Sequence, residues 1–181
     1  MENKYIVLIV GESGSGKSTI CNELTKRYDL KQVESYTTRP RRNNEERGHT
    51  FVTEEEFNKL QNICAYTLFD SHKYCATKEQ IDSADLYIID PHGIDYFMRK
   101  YNGQKIPMVV YIHASQSERK KRMRYRGDTE YQINRRIRLD VNAFYKAQEY
   151  AIQTYRNEKQ SDIDNIVTDI YQKFFDDDAK E

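Results

Sequence analysis

The sequence predicts an α/β fold organised around a doubly wound, parallel β-sheet. Continuous apolar runs at Tyr5–Val10, Leu86–Ile89 and Met108–Ile112 are typical of strands buried on both faces, as in a parallel sheet. Helical patterns fall between these runs, and strands that alternate with helices favour this architecture. A chain of 181 residues makes one compact domain, or one core with insertions.

The first strand leads directly into a glycine-rich loop. Residues 11–18 match the pattern G-x-x-x-x-G-K-[ST], and a helical pattern over residues 17–28 follows. In such a loop the backbone N–H groups and the helix dipole face a polyphosphate, Lys17 reaches its β- and γ-phosphates, and the Ser18 hydroxyl binds Mg²⁺. The strand before and the helix after disfavour a chance match. The predicted nucleoside triphosphate site comprises Gly11, Ser13, Gly14, Ser15, Gly16, Lys17, Ser18 and Thr19.

The next part of the chain, residues 35–82, is expected to form an insertion with its own small sheet. Two S/T-x-x-E/Q capping boxes predict short helices there, and a Tyr- and Phe-rich segment between them predicts a hairpin. The expected elements are a short strand at 32–36, a polar loop at 37–48, a capped helix from Thr53 through Leu60, a hairpin over 65–77 and a capped helix from Thr77.

The remainder continues the core pattern, with a break at Gly127–Thr129 between two helices. The expected elements are the strand Leu86–Ile89 ending in Asp90, a helix over 93–101, the strand Met108–Ile112, a helix opened by the capping box Ser115–Glu118 and running to Tyr125, a long helix over 131–150, a strand at 151–156 and a closing helix over 162–175.

The charge pattern favours a small anionic substrate. Lys+Arg and Asp+Glu are both 29, so the chain lacks the global basic excess of a general nucleic-acid binder. Positive charge is instead concentrated locally, in the arginines between Arg119 and Arg138. We therefore expect small-molecule nucleotide partners and no nucleic acid. The expected assembly is a monomer or homodimer.

The cysteine pattern and the hydropathy favour the reducing cytoplasm. Cys21, Cys64 and Cys75 are odd in number, without a C-x-x-C motif, which disfavours both a disulfide framework and a structural zinc site. No apolar stretch has membrane-spanning length, and the N-terminus carries no signal-peptide pattern. The expected location is cytoplasmic, with no membrane partner.

Two further features have the chemistry of phosphate transfer. Asp90 follows four apolar residues, the Walker-B pattern in which the carboxylate holds Mg²⁺; a carboxylate that only caps the turn before Pro91 is the alternative. Arg39, Arg41 and Arg42 lie beside hydroxyl residues and can bind phosphate oxygens bidentately. A solvated basic loop is the alternative for these arginines.

A third set of arginines flanks the break at Gly127. Arg122, Arg126, Arg135 and Arg136 have the arrangement expected of a flap that closes over bound phosphates and excludes water. A basic helical face paired with acids, or an RNA-binding arm, is the alternative. The four histidines, His49, His72, His92 and His113, show no ligand-like spacing and are interpreted as ordinary polar or core residues.

Together these pieces resemble the guanylate kinase family over about residues 5–144. The matching runs are GESGSGKST, SYTTRPRRNNE followed by Gly48, Tyr74 within HKYCAT, IIDPHG and RYRGDTEYQINRR, in the family's order and approximate spacing. The resemblance implies a P-loop NTPase core (1–34 and 83–181), an inserted acceptor-nucleotide domain (35–82) and a helical lid (122–136).

The resemblance also implies the reaction ATP + nucleoside monophosphate to ADP + nucleoside diphosphate, with GMP or dGMP as the default acceptor and Mg²⁺ as the metal. Catalysis would then be positioning and charge neutralisation. By position in the motifs, the acceptor site comprises Ser35, Arg39, Arg42, Glu45, Tyr74 and Asp90. The catalytic residues comprise Lys17, Arg39, Arg122, Arg126 and Arg136, and the metal ligands are Ser18 and Asp90.

The sequence departs from the family at the positions that read the base. The glutamate that reads guanine falls at Ala65, and the hydroxyl residue after the Tyr-Gly pair falls at Ala76. Because a methyl group cannot hydrogen-bond a base, either Asp70, His72 or Thr77 supplies the contacts, or the acceptor is not GMP. The other departures are Phe51 in a shortened segment that has a tyrosine in the family, Cys75 for glycine, Ile88 for aspartate and His92 for glutamine.

Three functions therefore stay open. The first is a kinase for GMP or dGMP, the second a kinase for a different (deoxy)nucleoside monophosphate, and the third a non-catalytic guanylate-kinase-like binding module. Such modules typically have a degraded phosphate loop, so the presence of Lys17, Ser18, Asp90 and the lid arginines disfavours the third function.

Overall fold

A computed structural model describes residues 3–41, 48–69, 71–144 and 147–176 of the chain. The strands are β1 (Tyr5–Val10), β2 (Ser35–Thr37), β3 (His49–Phe51), β4 (Ile63–Phe69), β5 (His72–Thr77), β6 (Leu86–Ile88), β7 (Ile106–His113) and β8 (Gln153–Arg156). The helices are α1 (Lys17–Tyr28), α2 (Glu54–Phe57), α3 (Lys78–Asp82), α4 (Pro91–Lys100), α5 (Gln116–Tyr125), α6 (Glu130–Ala143), α7 (Ala147–Tyr150) and α8 (Gln160–Phe174).

The core is a parallel sheet in the order β6-β1-β7-β8. Its central strand β1 is solvent-free from Ile6 to Val10, as its unbroken apolar run predicts. In register, Ile9 pairs with Ile88 and Val10 with Tyr111, so the carboxyl ends of β1, β6 and β7 lie at one edge of the sheet. The predicted doubly wound parallel sheet is confirmed, and this edge is where its ligands are expected.

Helices and a second sheet cover the two faces of the core sheet. On one face, Ile20 and Leu24 of α1 pack with the inner stripe of α8, which includes Ile166 and Ile170. On the other face, Phe97 of α4 packs together with β4 and β5 in a second hydrophobic cluster. This burial of apolar side chains on both faces is the main stabilising contribution to the core.

The second sheet has the order β3-β2-β5-β4 and lies within residues 35–77. Strand β2 pairs in parallel with β3 and antiparallel with β5. The sequence predicts a small sheet of this kind within 35–82; that this segment binds the acceptor nucleotide stays a prediction. The capping boxes at Thr53 and Thr77 are both formed, because each hydroxyl accepts from the N3 backbone and each N3 side chain accepts in return.

Two predicted boundaries in this region need correction. The strand expected at 32–36 begins only at Ser35, because Val33 N donates to Leu86 O and the chain there runs beside the core sheet before it crosses to the second one. The helix expected to run through Leu60 ends at Phe57.

Two predictions about the later helices are also corrected. Ser115 caps α5 by accepting from Glu118 N, but the capping box is only half formed. The Ser115 N–H donates to Glu158 at 2.8 Å, and Glu118 pairs with Arg122 instead. The helix expected over 131–150 is divided into α6 and α7, with Phe144 packed edge-on against the buried Tyr111 ring.

The described residues contain no helix long and apolar enough to cross a membrane. Cys21, Cys64 and Cys75 are buried and form no disulfide. Burial raises the pKa of each thiol to about 12, so none of them is a thiolate at neutral pH.

Candidate active site

The phosphate loop joins the carboxyl end of β1 to the first turn of α1. Gly16 sits at the helix N-cap with φ of 100°, in the left-handed region that favours glycine. A Cβ at this position would lie 2.2 Å from Asn157 Nδ2, which in turn donates to Ser15 O at 2.8 Å. The loop is therefore held from outside by the residue that follows β8, which leaves no room for a side chain at Gly16.

Lys17 is a half-buried cation of this loop. Its Nζ donates to Gly11 O at 2.6 Å and to Glu12 O at 3.1 Å. Burial lowers the pKa of Lys17 to about 8, although the negative charges of Asp140 and Glu12 act in the opposite direction. An anion beside this ammonium group would raise its pKa again and stabilise its charged form, as a polyphosphate does in such loops.

Two cavities meet at the loop, and Ser13 and Lys17 line both of them. The first, which we call the lid cavity, extends from the loop toward α5, α6 and the start of α8. The second, which we call the sheet cavity, has a volume of about 210 Å³ and extends toward β4, β5, β6 and the start of α4. Lys17 is therefore placed to contact ligands in both cavities.

The lid cavity brings together the phosphate loop and the arginines predicted for the lid. Arg122, Arg126 and Arg136 all line it. Arg122 donates to Ser15 O at 3.3 Å and to Asn157 O at 3.0 Å, which holds its guanidinium against the loop, while Arg126 is paired with Asp128. The predicted loop residues that line this cavity are Ser13, Gly14, Gly16, Lys17, Ser18 and Thr19.

The other residues predicted for the phosphate loop lie beside this cavity. Gly11 lines the sheet cavity. Ser15 is fully buried, and its carbonyl accepts the hydrogen bonds from Asn157 and Arg122.

The segment between α5 and α6 has the features of a hinge. Gly127 in this segment has φ of 92°, and a Cβ there would have open space around it.

The sheet cavity holds three of the residues predicted for the acceptor. Ser35, Tyr74 and Asp90 line it. Arg39 reaches the same place indirectly, because its Nε donates to Tyr74 Oη at 3.1 Å while its guanidinium lies over the Phe51 ring at 5.4 Å. Arg42 and Glu45, which were also predicted for this site, lie outside the described residues.

Of the two roles considered for Asp90, the structure shows the capping role, and the binding of Mg²⁺ stays a prediction. It is the N-cap of α4, and its Oδ1 accepts from His92 N at 2.9 Å and Gly93 N at 3.1 Å. Its carboxylate also faces the sheet cavity. Ser18 lines the lid cavity instead, so the two predicted metal ligands are not brought into one cavity.

The two alanines at the base-reading positions are in the hydrophobic core, not in the cavity. Ala65 and Ala76 pair with each other across β4 and β5 and are at most 1% exposed. The suggested substitutes do not line the cavity either: Thr77 caps α3, and His72 pairs with Phe69 at the end of the hairpin. Asp70 lies outside the described residues.

The sequence interpretation takes His49 as an ordinary polar or core residue, whereas in the structure it borders the sheet cavity. It is paired in register with Ser35, its Nδ1 lies 2.9 Å from Ser35 Oγ, and it lines the sheet cavity. His92 lines the same cavity. The interpretation of these two histidines as ordinary residues is therefore incomplete, and only the pairing of β2 with β3, which no motif encodes, places His49 there.

Asp140 is a residue of the site that the sequence pattern does not indicate. Its carboxylate accepts from Ser13 N at 2.9 Å and pairs with Arg119 at 2.5 Å, and both charged side chains are buried. Burial raises the pKa of Asp140, although the Ser13 N–H, Arg119 and Lys17 act in the opposite direction. One signal was available, since Asp140 is the single acid in the second half of an arginine-rich helix.

The glycine-rich loop at residues 11–18 joins a buried strand to a helix and lies at the carboxyl edge of a parallel sheet. This arrangement defines a P-loop nucleotide-binding protein. The family model described as an AAA domain matches residues 7–143. The chain is 31% identical to a guanylate kinase from Blochmanniella floridana, over 79% of this chain and 74% of that one. It is 30% identical to a guanylate kinase from Rhodopirellula baltica, over 94% and 87%. The chain belongs to the guanylate kinase family.

The fold agrees with this membership. The crystal structure of guanylate kinase from Anaplasma phagocytophilum superimposes with a TM-score of 0.62 at 18% identity, covering 97% of this chain and 88% of that one. At this identity the likeness is one of fold. With 97% of this chain covered, the likeness of fold reaches beyond the residues 5–144 that carry the resemblance in sequence.

Proposed function

We propose that the chain is an ATP-dependent nucleoside monophosphate kinase of guanylate kinase type, which transfers the γ-phosphoryl group of ATP to GMP or dGMP. The observation that carries this proposal is the meeting of the lid cavity and the sheet cavity at Lys17 and Ser13. A donor held by the loop and the lid arginines would point its terminal phosphate toward an acceptor held beside Ser35 and Tyr74. The names of the relatives support the choice of GMP.

In this reaction an oxygen of the acceptor phosphate attacks the γ-phosphorus, and the bond to the β–γ bridging oxygen breaks to release ADP. Catalysis then consists of positioning and of neutralising charge on the transferred group. Lys17 lies where the two ligands meet, and Arg122, Arg126 and Arg136 border the donor side. Closure of α5 and α6 about Gly127 would exclude water and prevent hydrolysis of ATP.

The residues present suit Mg²⁺ as the metal. The described residues hold no group of three or more His, Cys, Asp or Glu that could form a metal site. Mg²⁺ is usually held by one or two protein oxygens together with substrate phosphates and water, and the Ser18 hydroxyl in the lid cavity and the Asp90 carboxylate in the sheet cavity are the oxygens available for it. When bound with the nucleotide, Mg²⁺ would neutralise phosphate charge.

The acceptor is tested by ADP release from ATP–Mg²⁺ in the presence of GMP, dGMP, AMP, CMP, UMP and dTMP. We expect turnover with GMP or dGMP to exceed that with the other monophosphates. Faster turnover with another base would replace GMP in the proposal, and the burial of Ala65 and Ala76 makes this comparison necessary. ATP binding without turnover on any acceptor would support a binding module instead.

Replacing Arg39 with alanine should raise the KM for the monophosphate by about 10- to 100-fold, since hydrogen bonds to a charged partner contribute about 1.5–3 kcal/mol. The KM for ATP should be unchanged, because Arg39 contacts Tyr74 of the sheet cavity. Arg99→Ala is the matched control, since Arg99 is an exposed arginine that lines neither cavity. An effect confined to ATP would mean that the donor and acceptor sites are interchanged.

We also propose that the protein acts in the cytoplasm as a monomer or homodimer on small nucleotides, and not on nucleic acid. The balance of 29 basic and 29 acidic residues supports small anionic ligands over a long polyanion. The buried thiols, which form no disulfide, are in keeping with a reducing compartment.

A further inference from the structure

Thr67 and Tyr87 both border the sheet cavity, and their side chains form no hydrogen bond with another residue among those that the structure describes. Each residue is only 5% exposed, but neither hydroxyl oxygen is among the enclosed polar atoms that lack a partner. Both hydroxyl groups are therefore open to the cavity, where water or a ligand can donate to them and accept from them.

Thr67 is related to Ala65 by the geometry of its strand. The two residues are two positions apart on β4 and so share one face of the second sheet. Ala65 lies at the end of that face that packs in the hydrophobic core. Thr67 lies farther along, where a Cβ on Gly93 would come within 3.0 Å of its hydroxyl, so it borders the start of α4 and the cavity.

Tyr87 approaches the cavity from the core sheet. It pairs in register with Leu8 of β1, one residue before the end of β6. Burial and the charge of Asp90 raise its pKa well above the ordinary value for tyrosine, so the phenol is protonated and can donate as well as accept. Tyr87 and Asp90 border the same cavity.

The rest of the cavity suits a planar base. Tyr66, Phe69 and Phe144 border it with aromatic rings, and Ile88 stands where the family has an aspartate. Aromatic side chains bind any base by stacking and do not discriminate among bases. Selection of one base therefore needs hydrogen-bonding groups, and hydroxyls can both donate to and accept from the edge of a base.

We propose that the hydroxyl groups of Thr67 and Tyr87 form the hydrogen bonds that select the acceptor base, in place of the side chains absent at Ala65 and Ala76. This proposal rests on the proposed kinase function and adds the residues that decide its specificity. One of the two selecting residues, Thr67, lies on the same face of β4 as Ala65, and the other, Tyr87, lies on β6 at the edge of the core sheet.

The test is steady-state kinetics of Thr67→Val and Tyr87→Phe, which remove only the hydroxyl groups, with the panel of monophosphates. Each variant should lower kcat/KM for the preferred monophosphate by about 3- to 10-fold, the effect of one neutral hydrogen bond. The preference over monophosphates with other bases should fall by the same factor. The KM for ATP and the midpoint of thermal unfolding should stay at the wild-type values.

Thr154→Val on β8 and Tyr171→Phe on α8 are matched controls, because Thr154 is exposed and Tyr171 packs against Tyr28 on the opposite face of the core. Equal losses for every base, or unchanged kinetics in both cavity variants, would overturn the assignment of these two residues while the kinase function stands. Absence of turnover in the wild-type protein with every monophosphate would overturn the kinase function and this assignment with it.

Discussion

Replacing Lys17 with alanine is expected to lower kcat by at least about 100-fold, the range measured for removal of one preorganised group that stabilises transition-state charge. The ammonium group lies where the lid cavity and the sheet cavity meet. It is therefore placed to follow the phosphoryl group as charge moves from donor to acceptor. The measurement is kcat from ADP release with ATP–Mg²⁺ and the preferred monophosphate.

The same replacement should leave the fold intact. The hydrogen bonds of Lys17 go to Gly11 O and Glu12 O within its own loop, so its loss detaches no other element. Its pKa of about 8 also indicates that burial opposes its charge in the free protein, so alanine removes a desolvation cost. The midpoint of thermal unfolding should accordingly be equal to or above that of the wild type.

Lys26→Ala is the matched control, because Lys26 is an exposed lysine on the same helix α1. It should retain wild-type turnover. Turnover near the wild-type level in the Lys17 variant would remove the basis for assigning phosphoryl transfer to this site.

The phosphate loop and the core sheet can be predicted from the sequence because the information is local. Strand β1, the glycines and α1 are contiguous, and the unbroken apolar run of β1 requires burial on both faces. A single stretch of residues 5–28 thus determines the strand, the loop conformation and the placement of Lys17. The two capping boxes in the second sheet are local in the same sense.

The sheet cavity could not be predicted in this way. The packing of the second sheet against α4 and the core sheet decides which residues of β4 border the cavity. The sequence of β4 alone does not determine that packing. The family pattern points to Ala65, which lies in the core, whereas Thr67, two residues farther along the same face of β4, borders the cavity.

The role of Asp140 is hidden for a similar reason. Its hydrogen bond to Ser13 joins residues 127 positions apart. Its ion-pair partner Arg119 lies in an arginine-rich region, and the sequence pattern of that region is also typical of a solvated basic face. Burial distinguishes this pair from the exposed pairs nearby, such as Arg124 with Glu130. Burial is a property of the packed structure and not of the local sequence.

Replacing Asp140 with alanine is expected to lower the free energy of unfolding by up to about 3–5 kcal/mol, since it removes the nearest partner of a buried charge. Glu12 still compensates part of that charge, because its Oε1 lies 3.6 Å from Arg119 Nη1. Arg119 has a side chain only 8% exposed, and it also donates to Ser13 O at 2.9 Å. Without Asp140, the guanidinium and the Ser13 N–H both lose an acceptor at the centre of the site. The measurement is urea unfolding followed by circular dichroism.

Glu130→Ala on the same helix is the matched control, because Glu130 forms an exposed pair with Arg124. It should change the stability far less, since solvent screens exposed pairs. The double replacement Arg119→Met with Asp140→Leu should recover part of the loss, because apolar side chains of similar volume often replace a buried ion pair without cost. The recovery is incomplete because Glu12 then loses Arg119 as its partner. Equal stability of Asp140→Ala and the wild type would mean that this pair does not join α6 to the phosphate loop in solution. The expected loss, together with its recovery in the double variant, would locate the effect in the Arg119–Asp140 charge pair rather than in the helix that carries it.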